Sequence, residues 1–79
     1  MQVKLHSIEI KDYFHASNNS ISELFSKNFD IEIQYIRRPN MLENIEPRSD
    51  IIISTGDVLV IIGTQVNLSL FEKYIINGD

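Results

Sequence analysis

The run Val58-Leu59-Val60-Ile61-Ile62 constrains this chain more than any other segment, because every position is aliphatic and neither face of the strand it forms is polar. Such a strand lies inside a sheet and needs cover on both sides. Gly63 ends it. Ser54-Thr55-Gly56-Asp57 precedes it as a tight turn, in which Gly56 is free to take a positive φ and Asp57 caps exposed backbone amides. The chain has 79 residues, enough for one small domain and too few for a second. It contains no cysteine, so a disulfide staple and a thiolate metal site are both excluded. A small core without staples gains from a partner surface. On that ground the two-sided strand predicts a homodimer, with Leu59 and Ile61 as its core and pairing residues.

The remaining elements follow from changes of period. Val3 and Leu5 share one face of an opening strand while Ile8 and Ile10 share the other, which predicts a bulge near His6-Ser7 or a strand beginning there. Ser20-Ile21-Ser22-Glu23 matches a capping box, and Ile21, Leu24 and Phe25 continue it as a helix of about two turns. Ile31, Ile33 and Tyr35 alternate with Glu32 and Gln34, the pattern of a strand with one buried face. Pro39-Asn40 breaks that strand, and Leu42 to Ile45 reads as a short return strand stopped by Pro47. Asn67 or Thr64 caps a last helix in which Leu68, Phe71 and Ile75 line one face, flanked by Leu70 and Tyr74; Asn77-Gly78 stops it. The expected fold is α+β, a small mainly antiparallel sheet with two short helices in the order β-α-β-β-β-α, forming a single domain over residues 1–79.

The chemistry on offer is sparse. Seven basic and eleven acidic side chains leave a net charge of −4, which argues against nucleic acid and anionic membranes as partners. The longest apolar run falls well short of the roughly 20 residues that span a bilayer. No Gly-x-Ser-x-Gly elbow and no phosphate-cradling glycine loop is present, and His6 and His15 lack the spacing of a metalloprotease pair. Glu43, Glu46, Asp50 and Asp57 lie near turns, where solvated or capping carboxylates are the ordinary case. These features argue against an enzyme, a metal site or a cofactor in this chain. Arg37-Arg38 beside Pro39 is the one feature suited to an anion, since arginine offers a planar fork to phosphate or carboxylate. The plainer expectation for the pair is solvation or a salt bridge to Glu32 or Asp50.

The second half carries a resemblance. Tyr35-Ile36-Arg37-Arg38, Pro47-Arg48-Ser49-Asp50-Ile51-Ile52-Ile53 and Gly56-Asp57-Val58-Leu59-Val60-Ile61-Ile62-Gly63 resemble the C-terminal domain of the TrkA/RCK family, and Ser20 to Leu24 and Asn67 to Ile75 fit its helices. The resemblance implies a cytosolic regulatory, ligand-sensing and dimerising module of a monovalent-cation channel, transporter or antiporter, including the aspartate–alanine-type exchangers. It places the domain at the cytoplasmic face of the cell membrane, with the membrane domain of a parent transporter as partner, and makes Met1 a boundary cut from a longer protein. It also implies a small anionic ligand such as a cyclic dinucleotide, held by Lys27 and Asn28 after the first helix, Arg37, Arg38 and Asn40 after the strand, and Pro47 at the turn. Gly56, Asp57 and Gly63 are then structural turn residues. The competing class is a structural dimerisation module that binds no ligand.

Overall fold

The computed structural model describes residues 2–79, so the boundary reading at Met1 lies outside the described residues. The elements are β1 (Lys4–Glu9), α1 (Ile21–Leu24), β2 (Glu32–Arg37), β3 (Val58–Gly63) and α2 (Gln65–Asn77). They build the expected α+β arrangement: a three-stranded antiparallel sheet ordered β1-β3-β2, with the aliphatic strand in the middle. The expected return strand at Leu42–Ile45 is reduced to one bridge, Ile36 pairing with Ile45 through two backbone bonds of 3.0 and 2.8 Å. Pro47 and the exposed residues 41–44 leave nothing to extend it.

One face of the sheet carries the core. Ile8, Ile33, Ile36, Leu59 and Ile61 meet Leu24 from α1, Ile53 from the long loop, and Leu68, Phe71, Tyr74 and Ile75 from α2. Leu59 and Ile61 are fully buried here, within the chain itself. The face left over is therefore that of Val58, Val60 and Ile62, a correction to the expectation that put Leu59 and Ile61 against a partner.

Two register details also differ from expectation. β1 runs without irregularity from Lys4 opposite Gly63 to Glu9 opposite Val58, so there is no bulge at His6-Ser7. Its parity changes because the two ends serve different faces. Ile8 and Ile10 enter the core, whereas the inward positions at the other end are Lys4 and His6, which reach α2 through Lys4 Nζ to Gln65 Oε1 (3.2 Å) and His6 Nε2 to Glu72 Oε1 (3.0 Å). The bulge lies instead in β2, between Ile33 and Tyr35. It turns Tyr35 to the outer face beside Val60 and gives the core position to Ile36.

The caps explain where the helices start. Ser20 Oγ accepts from the Glu23 amide (3.2 Å) and the Glu23 carboxylate accepts from the Ser20 amide (2.9 Å), a complete capping box. The helix it opens is a single turn rather than two, because Ser26 and Asn28 fold into turns and Asn28 adopts a positive φ of 54°. Its next amides are taken by the long loop, Ile21 N donating to Ile51 O (2.9 Å) and Ser22 N to Ser49 O (3.1 Å). Thr64 caps α2, and Gly78, left-handed at φ 80°, closes it by donating to Tyr74 O at 2.8 Å.

Candidate functional site

The 38–57 connection, which links β2 to β3, is held by one buried acid. Gly56 at φ 92° lets the chain turn so that Asp57 N donates to Ser54 O (3.0 Å) and the Asp57 side chain points inward, fully buried. Both oxygens of its carboxylate are engaged. Oδ1 accepts from Arg38 Nε (3.0 Å), and Oδ2 accepts from Arg38 Nη2 (2.9 Å) and from the Ser54 amide (2.9 Å). Arg38 Nη2 also donates to Ile52 O at 2.9 Å. The Asp57 carbonyl accepts from Ile10 N (2.8 Å), so this residue joins the end of β1, the end of β2 and the start of β3.

A buried charge is tolerated only when paired and hydrogen-bonded, and this fork-on-fork contact meets both conditions. The hydrogen bond to Asp57 raises the Arg38 pKa further above its ordinary value, against the opposing effect of burial. Asp57 thus caps an amide as expected, but the partner of Arg38 is neither Glu32 nor Asp50. Glu32 stands at the opposite end of β2, and Asp50 meets Arg48 at 3.6 Å on the surface. The guanidinium most suited to an anion is already occupied by a carboxylate of its own chain.

The other anticipated ligand residues fall in separate places. Arg37 is exposed on the outer face, opposite Val58. Asn40 sits in the turn after Pro39 at φ 69°. Lys27 places its ammonium over the Tyr74 ring, 5.2 Å from the centroid, and Asn28 follows it in the left-handed turn. Pro47 lines a cleft of about 360 Å³ between α1 and β2, with Ile21, Phe25, Ile33, Ser22 and Ser49. That wall is mainly apolar and carries Glu32 as its charged group, so on its own it offers nothing cationic to an anion. Gly63, the last residue of β3, is needed for close approach: a Cβ there would lie 2.8 Å from Ile31 Cγ2.

The outer face of the sheet is the other surface with character. Its middle row is Ser7–Val60–Tyr35, bounded by Glu9–Val58–Arg37 at one end and Leu5–Ile62–Glu32 at the other. Val3 and Leu5 extend it with 62% and 64% of their surface exposed. α2 packs on the opposite, core face, and on this one Val60 at the centre is only 3% exposed, so the open apolar surface lies toward Val3 and Leu5. Among the described residues, no helix is long and apolar enough to cross a membrane.

A three-stranded sheet backed by two helices, with an internally tied turn and a partly apolar outer face, defines a small α+β domain. The chain belongs to the TrkA-C domain family, whose model matches residues 5–76. This is a family of regulatory domains of transport proteins and not a catalytic one. Compared with curated proteins, the chain finds no significant match.

Proposed function

We propose that this domain regulates a monovalent-cation channel, transporter or antiporter, with potassium as the cargo, from the cytoplasmic side of the membrane and as one of two paired copies. The family match over residues 5–76 carries the reading. The architecture is consistent with it, since a rigid core with one open apolar face suits transmission of a change in domain pairing better than chemistry. A regulator of this kind acts through the difference in its free energy between two arrangements of the pair, and a ligand shifts them only by its differential affinity. Cation flux by the transport protein that carries this domain tests the reading, with residues 5–76 present or deleted. Unregulated or abolished flux on deletion supports it, and unchanged flux refutes it.

A second reading, pairing without any ligand, is favoured by the engagement of Arg38 with Asp57 and by the scatter of Lys27, Asn28, Arg37, Asn40 and Pro47 over separate parts of the surface. Titration calorimetry with cyclic dinucleotides, nucleotides and amino acids separates the two. Saturable heat supports sensing, and its absence at millimolar ligand leaves the structural role.

A further inference from the structure

The outer face is charged at its two ends in opposite senses. Arg37 occupies one end of β2 and Glu32 the other, with Asp30 just beyond Glu32, and the middle row Ser7–Val60–Tyr35 lies between them. Neither Arg37 nor Glu32 has an ion-pair partner among the described residues; Glu32 accepts only from Gln34 Nε2 at 2.6 Å. Val60 between them is 3% exposed yet stands outside the core cluster. These ends are about 13 Å apart, since the bulge sets Glu32 and Arg37 opposite Ile62 and Val58, four residues apart on β3, and a strand rises about 3.3 Å per residue.

We infer that a second copy of this chain docks on this face through a two-fold axis running across the strands along the Ser7–Val60–Tyr35 row. It rests on the pairing part of the function proposed above and adds the surface and the register. That rotation exchanges the two ends of the face. Val60 and Tyr35 lie over their own counterparts, Val58 lies over Ile62 of the other copy, and each Arg37 meets a Glu32, giving two symmetric ion pairs around an apolar centre. The alternative axis along β3 sets Arg37 over Glu9, already bound to Lys11 at 2.9 Å, and leaves Glu32 over Leu5 with no cation. Only the crosswise axis pairs both free charges. Sheets packed in this way lie about 10 Å apart, within reach of side chains at the rim. Three strands spaced about 4.8 Å offer less than the roughly 800 Å² per partner of a standard interface, so the isolated pair is weak, with a Kd in the micromolar range.

Sedimentation equilibrium of this chain into the hundreds of micromolar, at low and high salt, tests the inference by charge reversal. Wild type forms dimers that weaken with salt. Arg37→Glu and Glu32→Arg each raise Kd about tenfold or more by opposing like charges, and the double exchange restores it. Both positions are exposed, and circular dichroism verifies that each variant folds. A monomeric wild type overturns the pairing and this inference together. A dimer indifferent to both reversals, or not rescued by the double exchange, overturns the register alone and leaves the proposed function standing.

Discussion

Arg38 grips Asp57 with two side-by-side hydrogen bonds, Nε to Oδ1 at 3.0 Å and Nη2 to Oδ2 at 2.9 Å, across a sequence separation of 19. The acid is fully buried and the arginine side chain is 32% exposed, so one end of the pair lies in the protein and the other at its edge. The contact pins the end of β2 to the start of β3 and leaves the loop between them to cover α1.

Removing the arginine strands a buried carboxylate. Arg38→Ala is expected to cost about 3 kcal/mol in urea unfolding, and Arg38→Lys to recover only part of it, because an ammonium cannot reproduce the planar fork. A loss within about 0.5 kcal/mol, the size of an ordinary surface substitution, would show that the pair is incidental.

Gly63→Ala places a methyl group 2.8 Å from Ile31 Cγ2. Overpacking of this kind costs about 1–3 kcal/mol. Shortening Ile31 to Ala in the same chain relieves the clash, so the double variant is less destabilised than the sum of the singles. Strict additivity in thermal or chemical unfolding would remove the contact as the cause.

The capping box predicts an acid-sensitive step. The Ser20 amide, and after it the Ser20 hydroxyl, hold the Glu23 carboxyl below its ordinary range. A depressed folded-state pKa gives stability that is present above the unfolded value and lost as pH falls through the folded one. Wild type and Glu23→Gln should therefore keep a constant difference from pH 7 down to about pH 5 and converge only below the ordinary glutamate value of about 4.3, as pH falls through the lower folded-state value and the native carboxylate protonates. Ser20→Ala lowers stability by about 1 kcal/mol at neutral pH. A difference between wild type and Glu23→Gln that does not vary with pH contradicts the assignment.

Phe71 is fully buried, stacked on Phe25 with centroids 5.9 Å apart and edge-on to Phe29 at 5.3 Å. Phe71→Ala is expected to cost about 3–5 kcal/mol, which is most of the stability of a domain this small. Loss of a cooperative melting transition is the expected reading, and a native-like melting temperature contradicts the packing described.

What was legible in the sequence followed from local signals. The aliphatic run marked β3, Ser20 with Glu23 marked the cap of α1, Thr64 and Gly78 bounded α2, and Gly56 marked the turn before Asp57. What escaped was set by distant contacts. The β2 bulge that turns Tyr35 outward arises from pairing with β3, and the regular alternation of Ile31, Ile33 and Tyr35 gives no warning of it. The inward polar positions of β1 make sense only once α2 supplies Gln65 and Glu72. Arg38 found its carboxylate through the fold, with no helical or cross-strand spacing to announce Asp57.

The proposed function stands on two copies pairing through the open sheet face and on that pairing being what regulates the transport protein. Monovalent-cation flux into vesicles holding that full protein, compared between wild type and Arg37→Glu, measures this most directly. The account predicts that transport persists while its regulation is lost or severalfold altered. Flux and regulation identical to wild type would contradict it.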